Sequence, residues 1–166
     1  MLLKIADLAP SESLDFSTQV DVKTLALSST DDCFGETVAL QGTVLYTGTV
    51  YRVGGKLNYV RTYVCDRCLK ECQAAETAEF AEDFVRSAEA DVVAAEDATV
   101  FDGDAIDLRE LIRDTLVAGE PIRNLCRPEC LGLCPVCGQN LNEGDCACDR
   151  RTVDPRLEGL LNLKFD

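Results

Sequence analysis

Hydrophobic and polar residues alternate through the middle of the chain, between residues 36 and 85. For example, Val38, Leu40 and Val44 alternate with small or polar residues. A period of two places neighbouring side chains on opposite faces of an extended strand. The pattern predicts β-strands in this region, although imperfect alternation over residues 74–85 leaves a helix open as an alternative there.

Paired glycines within this region predict a turn. Val53-Gly54-Gly55-Lys56 is typical of a tight hairpin, because glycine accepts the positive φ angles that such turns require. A return strand would then run from Leu57 towards Cys65. The first 32 residues mix short apolar stretches with Pro10 and polar clusters, which predicts one or two further strands joined by irregular turns.

A helix is predicted at about residues 107–118. Asp107 can cap its first turn, and Glu110 stands where its side chain reaches back to that cap. Gly119 and Pro121 end the pattern. Residues at helical spacing form one largely apolar stripe, which we expect to pack on the sheet: Leu108, Leu111, Ile112, Thr115 and Leu116.

Acidic residues outnumber basic residues by 30 to 16, which gives a net charge of −14. Eleven acidic residues lie between Glu71 and Asp104, where Arg86 is the only basic residue. The ordinary interpretation is a solvated face followed by a flexible, Ala/Asp/Glu-rich linker near residues 87–104. The alternative is an acidic surface that attracts a basic partner, such as a ribosomal protein.

The chain has ten cysteines and no histidine. No apolar run predicts a secretory signal or a membrane span, so we expect a cytoplasmic protein. In that reducing compartment, closely spaced cysteines are metal ligands or redox pairs more often than disulfides. The absence of histidine excludes Ser-His-Asp and Cys-His catalysis and makes any zinc site mainly a thiolate site.

Six cysteines within 23 residues predict a structural zinc site: Cys126, Cys130, Cys134, Cys137, Cys146 and Cys148. The run from Cys134 through Cys137 to Gly138 has the form of a zinc knuckle. We expect Cys130 and either Cys146 or Cys148 to complete a tetrahedral set. A closed set of four thiolates leaves no position for a substrate, so the metal would fold this lobe. An iron–sulfur cluster and unrelated free cysteines are the alternatives.

Cys65 and Cys68 form another close pair. Three interpretations stay open: half of a second four-cysteine zinc site, a redox pair, or a structural turn with two unligated thiols. The βαβ context of a thioredoxin-like motif is missing, which disfavours the redox pair. Cys33 and Cys72 have no partner at a recognisable spacing.

Together these patterns predict an α+β fold. It would be mainly antiparallel β-sheet or a partial barrel, with one packed helix, a C-terminal zinc-bound loop lobe and a short terminal helix. Residues 1–125 would form the β domain, including the acidic linker. Residues 126–166 would form the zinc-binding lobe and the terminal helix, packed as one domain with the rest.

Four segments, in their order and spacing, resemble the YceD family. They are Cys65-Asp66-Arg67-Cys68-Leu69 after a strand, the stretch from Asp102 to Asp107-Leu108 that opens a helix, the run from Leu125 through Cys126, Cys130, Gly132-Leu133-Cys134-Pro135 and Cys137-Gly138 to Leu141-Asn142, and Asp154-Pro155-Arg156-Leu157. The resemblance covers roughly residues 38–161. Members of this family are described as large-subunit ribosomal RNA accumulation proteins.

The resemblance implies a role in producing or stabilising large-subunit ribosomal RNA. The implied partners are that RNA or its precursor particle, contacted directly or indirectly, and a basic zinc-binding large-subunit ribosomal protein. Some family members lack the cysteine cluster, which implies that the metal supports the fold in this branch. Four arginines are candidates for contact with RNA or a partner, with ordinary surface arginines as the alternative: Arg67, Arg127, Arg150 and Arg151.

No carboxylate pair, Gly-rich phosphate loop or activated nucleophile stands out in the sequence. We therefore expect no enzymatic activity, no catalytic residue and no small-molecule substrate, and the YceD resemblance implies a ribosome-biogenesis factor. The first alternative is an acidic interaction module or chaperone for a basic large-subunit ribosomal protein. The second, less favoured, is a thiol oxidoreductase that uses Cys65 and Cys68.

Overall fold

The alternating segments of the sequence form the strands of the computed structural model, which describes residues 1–27, 33–89, 98–149 and 156. Within those residues lie seven strands and one α-helix: β1 (Leu2–Lys4), β2 (Ser13–Asp21), β3 (Thr37–Tyr46), β4 (Val50–Val64), β5 (Glu71–Arg86), β6 (Thr99–Phe101), β7 (Ala105–Asp107) and α1 (Arg109–Ala118). Short 3-10 helices follow β2 at Val22–Leu25 and β5 at Ser87–Glu89. No helix in the described part of the chain has the length and apolar character needed to cross a membrane.

The larger sheet has the strand order β2-β3-β4-β5-β6. β2, β3 and β4 pair antiparallel. β4 and β5 also run in opposite directions, because Arg52 contacts Asp83 at one end while Thr62 contacts Gln73 at the other. β6 pairs with β5 in parallel, and β1 and β7 form a separate antiparallel pair.

Both sheets are open in the described residues, because no pairing joins their edge strands to each other. The expected mainly antiparallel sheet with one helix is therefore confirmed, and neither sheet closes into a barrel. The strand over residues 74–85 is also confirmed, since β5 spans this segment and the helical alternative does not occur.

The hairpin turn predicted at Gly54 and Gly55 is wrong, because both glycines lie inside β4. The chain reverses instead near Gly48, whose φ is +106°. A Cβ atom on Gly55 would stand 2.1 Å from the backbone oxygen of Gln41 in the neighbouring strand. Close strand approach explains the glycine at residue 55, whereas a Cβ atom on Gly54 would stand 3.6 Å from the nearest atom, at ordinary contact distance.

The helix prediction is confirmed with a different start. α1 begins at Arg109, and Asp107 is the last residue of β7. The Asp107 carboxylate still accepts the backbone N–H of Arg109 at 3.1 Å, so it serves the first turn from one position before the N-cap. Ile112 and Leu116 of α1 are buried in one core with β3, β4 and β5 side chains, including Leu40, Val44, Leu57 and Phe84.

The acidic linker expected near residues 87–104 contains regular structure at both ends. Ser87–Glu89 is a 3-10 helix, and Thr99–Phe101 is strand β6. Residues 90–97, the centre of the expected linker, lie outside the described residues, as does the expected short terminal helix.

The chain divides into two compact units. The first comprises Met1–Tyr63 and Cys72–Ile122, and it contains the sheet core and α1. The second comprises Val64–Glu71 and Arg123–Asp166. Eight of the ten cysteines belong to the second unit, so its chemistry is dominated by thiols.

Candidate metal centres

The eight cysteines of the second unit form two groups of four. The first quartet is Cys65, Cys68, Cys126 and Cys130, and the second quartet is Cys134, Cys137, Cys146 and Cys148. Within each quartet all four sulfur atoms lie within 4.8 Å of one another. All ten cysteines of the chain are free thiols.

Sulfur–sulfur distances test whether a metal ion fits the first quartet. The Sγ atoms of Cys65 and Cys130 are 3.8 Å apart, and those of Cys68 and Cys126 are 3.7 Å apart. Four thiolates about 2.3 Å from one tetrahedral zinc ion stand about 3.8 Å from each other, whereas a disulfide brings two sulfurs to about 2.05 Å. The four donors therefore fit a single tetrahedral ion.

A tight turn aims Cys65 and Cys68 at the same point. The N–H of Cys65 donates to the Lys70 carbonyl at 2.9 Å, and the N–H of Leu69 donates to the Cys65 carbonyl at 2.9 Å. Leu69 closes the turn with a φ of +57°, in the left-handed region. This turn follows directly on β4, which holds its first cysteine at the end of a rigid strand.

The second quartet uses the same turn. The N–H of Cys134 donates to the Gln139 carbonyl at 2.8 Å, and the N–H of Gly138 donates to the Cys134 carbonyl at 2.9 Å. Gly138 has a φ of +74° and occupies the position that Leu69 holds in the first turn. The two cysteine pairs thus stand on equivalent knuckles.

Asn142 supports the loop that carries Cys126 and Cys130. Its Nδ2 donates to the Cys130 sulfur at 3.4 Å, and its Oδ1 accepts the backbone N–H of Leu131 at 2.9 Å. Oδ1 also accepts from Nη2 of Arg127 at 2.7 Å. A side chain that bonds both a ligand sulfur and the ligand's loop fixes the orientation of that ligand.

Arg67 and Asp66 tie the first knuckle to the same loop. The Arg67 guanidinium donates to the Cys130 carbonyl at 2.8 Å. The Asp66 carboxylate accepts the N–H of Asn124 at 2.7 Å, while the N–H of Asp66 donates to the Asn124 carbonyl at 2.8 Å. Cysteines far apart in sequence are therefore held together by hydrogen bonds that involve no sulfur.

Backbone N–H groups stabilise the thiolates of Cys65 in the first quartet and Cys134 in the second. N–H groups of Cys126, Cys68 and Arg67 point at the Cys65 sulfur and lower the pKa of this thiol to about 6, against the opposing effect of burial. N–H groups of Cys137 and Val136 lower the pKa of Cys134 to about 6 in the same way. The thiolate is the form that binds metal, so each quartet stabilises at least one anionic sulfur. Burial raises the pKa of Cys126 in the first quartet, and the hydrogen bond with Cys137 raises the pKa of Cys148 in the second.

The grouping differs from the sequence expectation at one residue. Cys130 was expected to complete the set around Cys134 and Cys137, but its sulfur belongs to the first quartet. Both Cys146 and Cys148 join the second quartet, where one of them was expected. The spacing of the six C-terminal cysteines could not reveal this division, because half of the first quartet comes from Cys65 and Cys68.

The four candidate contact arginines have different outcomes. Arg67 and Arg127 are exposed residues of the second unit, and each uses part of its guanidinium for the internal hydrogen bonds above. Arg150 and Arg151 lie outside the described residues. Contact of any of them with RNA or a partner stays a prediction.

Sequence reasoning missed the importance of Asn142 and Leu69 for this site. The first knuckle was not recognised in the sequence, because Leu69 occupies the position with positive φ at which a knuckle usually has glycine. The repeated spacing of two residues between Cys65 and Cys68 and between Cys134 and Cys137 was the available signal.

A family model described as "Large ribosomal RNA subunit accumulation protein YceD" matches residues 53–164 of the chain. This span contains all eight cysteines of the two quartets, together with β5, β6, β7 and α1. No curated protein and no solved structure matches the chain.

Proposed function

The chain belongs to the YceD family of large ribosomal RNA subunit accumulation proteins, and we propose that it is a non-enzymatic ribosome-biogenesis factor. It acts in the cytoplasm on the precursor of the large subunit and supports the accumulation or stability of its RNA. The family match over two thirds of the sequence is the observation that carries this proposal.

We propose that each cysteine quartet holds one structural zinc ion. The all-cysteine donor sets and the close approach of the four sulfurs support a single tetrahedral ion in each. An iron–sulfur cluster is a weaker fit, because its thiolates bind different iron atoms and must stand further apart. Four thiolates leave no open coordination position, so the ions stabilise the second unit and do not activate substrates.

The distribution of charge supports the second unit as the part that approaches RNA. By sequence, the first unit has 8 basic and 21 acidic residues, whereas the second has 8 basic and 9 acidic residues. Phosphate groups avoid a strongly acidic surface. A zinc ion with four thiolates adds two negative charges, so RNA contact in this unit depends on local arginines such as Arg67 and Arg127.

Depletion of the protein from its native cells tests the proposed role. The ratio of large-subunit to small-subunit ribosomal RNA should fall, and the tagged full chain should co-sediment with large-subunit precursors. An unchanged RNA ratio, with all of the protein in ribosome-free fractions, would contradict the proposal. Ultraviolet crosslinking in the same cells distinguishes direct RNA contact from contact through a protein.

A second candidate function is that of an interaction module or chaperone for a basic large-subunit ribosomal protein. The concentration of negative charge in the first unit favours it. Co-production of the chain should then keep that ribosomal protein soluble at low salt and lose this effect at high salt. Equal solubility with and without the chain would remove this candidate.

A further inference from the structure

The strand β5 has an open edge along most of its length. On the side away from β4, β6 pairs only with the last three residues of β5, Phe84, Val85 and Arg86. Among the described residues, no other strand occupies that side. An open edge presents unpaired backbone N–H and C=O groups that can accept a further strand.

The helix α1 lies across from this edge and makes it one wall of a groove of about 820 Å³. Residues 76–82 of β5 line the groove without interruption, and Leu111, Thr115 and Ala118 of α1 line the opposite side. Successive residues of a strand point to opposite faces. A groove lined by seven successive residues therefore follows the edge of β5, where an extended peptide would lie.

The groove combines apolar surface with negative charge. Its lining includes Phe80, Leu111 and Pro121, and it has four acidic side chains but no lysine or arginine: Glu76, Glu79, Glu82 and Asp114. The Arg61 guanidinium, which does not line the groove, forms a bidentate ion pair with the Glu76 carboxylate, and only 6% of the Arg61 side chain is exposed.

Glu79 and Asp114 also form ion pairs, with Lys56 at 3.0 Å and with Arg113 at 2.9 Å, but both pairs are exposed to solvent and therefore weak. Among the described residues, Glu82 has no ion pair and accepts the Thr99 hydroxyl. An occupant would therefore meet apolar side chains, the carboxylate of Glu82 and two weakly paired carboxylates.

We propose that this groove binds an extended, lysine- or arginine-containing segment of a partner protein. The segment pairs its backbone with the open edge of β5, places alternate apolar side chains against Phe80 and Leu111, and directs its cations at Glu79, Glu82 and Asp114. The inference goes beyond the proposed function, because it assigns a docking surface that does not depend on the ribosomal role.

The charge of the groove distinguishes this occupant from two others. RNA would bring phosphates against Glu79 and Glu82, and the cations beside the lining, Lys56 and Arg113, are already paired with Glu79 and Asp114. A second copy of the chain paired edge to edge through β5 would place glutamates opposite glutamates, which is unfavourable across strands. A basic extended segment would pair its cations with the carboxylates of the groove and its backbone N–H and C=O groups with the open edge of β5.

The test uses the full-length protein and a fluorescent nine-residue peptide in which lysine alternates with valine and threonine. A matched peptide has glutamate in place of every lysine. The lysine peptide should bind at least tenfold more tightly by fluorescence anisotropy, and it should slow hydrogen exchange of the amides in residues 76–82. Absence of binding at millimolar peptide, or binding without protection of these amides, would overturn the proposal.

Two double variants control for net charge. Glu79→Gln with Glu82→Gln removes two carboxylates from the groove. Glu12→Gln with Asp15→Asn removes two exposed carboxylates at the opposite side of the sheet, where Asp15 accepts a threonine hydroxyl as Glu82 does. The groove variant should bind the lysine peptide roughly fivefold more weakly, and the control less than about twofold. Equal weakening of both variants would show attraction by overall charge alone and overturn the proposal.

Discussion

Leu69 and Gly138 hold the same position in the two knuckles and the same left-handed backbone conformation, with φ angles of +57° and +74°. An L-residue in this region costs roughly 1–2 kcal/mol relative to the right-handed region, and glycine avoids that cost. The backbone of the first knuckle is therefore strained at Leu69, whereas the backbone of the second is not strained at Gly138. Its hydrogen bonds and the rigid end of β4 hold Leu69 in place.

The equivalence predicts the effect of Gly138→Ala. A Cβ atom at residue 138 would contact nothing within 4 Å, so the substitution changes only backbone strain. We expect a loss of about 1 kcal/mol in the free energy of unfolding of the metal-bound protein, measured by urea denaturation. Gly144→Ala is the control, because Gly144 lacks a positive φ and a Cβ atom there has no contact closer than 3.8 Å. Equal losses in both variants would contradict the explanation.

The thiol of Cys33, in the first unit, should react slowly with alkylating reagents. Burial raises its pKa to about 11, and a hydrogen bond from its Sγ to Glu120 at 3.4 Å adds to the effect, as does the charge of that carboxylate. Because the thiolate is the reactive form, alkylation at pH 8 should be roughly a hundredfold slower than for an unperturbed cysteine.

Mass spectrometry after timed iodoacetamide treatment measures this rate. Glu120→Gln should accelerate alkylation of Cys33, whereas Glu110→Gln should not.

The raised pKa of Cys33 also makes the free energy of unfolding fall as the pH rises. A raised folded-state pKa favours the folded state below the unfolded pKa of about 8.5, and this contribution is lost as the pH rises towards 11. Fast alkylation of Cys33 at pH 8 would contradict this half-buried, Glu120-bonded thiol.

At the scale of single residues, the sequence indicated a cysteine-only type of site but not which cysteines group together. Six clustered cysteines without any histidine predicted a cysteine-only site, and the structure brings eight cysteines into two groups of four that could hold a metal ion. The assignment of Cys130 failed because its partners, Cys65 and Cys68, are about sixty residues away in sequence. Spacing reports local turns, whereas a quartet drawn from two distant segments depends on tertiary structure.

Among the elements, β3 and β4 are joined by an unusually close approach of glycines. A Cβ atom on Gly55 would stand 2.1 Å from the Gln41 oxygen and 2.6 Å from the Cα atom of Gly42. Both are backbone atoms, so no rotation of a side chain relieves the clash. The strands must separate locally if any larger residue replaces Gly55.

Gly55→Ala should therefore destabilise the protein by about 2–3 kcal/mol or more in urea denaturation. Gly54→Ala is the matched control in the same strand. Its Cβ atom would stand 3.6 Å from the nearest atom, a distance of ordinary contact. We expect the control to unfold within about 0.5 kcal/mol of the parent protein. A similar loss in the two variants would mean that steric contact does not explain the glycine at residue 55.

Elements with a strong period were predictable, and elements set by distant partners were not. Alternation identified β3, β5 and the part of β4 that follows Leu57, and helical spacing with a cap identified α1. The three residues of β6 have no pattern of their own and become a strand only by pairing with β5. The paired glycines suggested a turn because sequence does not show whether a glycine is needed for its φ or for its lack of a side chain.

At the scale of the whole molecule, the two quartets differ in the lengths of chain that they connect. The first joins a turn after β4 to a loop 58 to 65 residues later, and the second lies within one stretch of 15 residues, from Cys134 to Cys148. Closing a long loop costs more chain entropy than closing a short one. A metal ion in the first quartet would therefore contribute to bringing the two segments of the second unit together.

The most direct test is the metal content of the purified protein, measured by inductively coupled plasma mass spectrometry for the parent chain, Cys68→Ser and Cys137→Ser. Two independent four-cysteine zinc sites predict two zinc ions per parent chain and one in each variant, since each substitution disables a different quartet. A parent chain that holds a single ion, a variant that keeps both ions, or iron accompanied by inorganic sulfide would contradict the account.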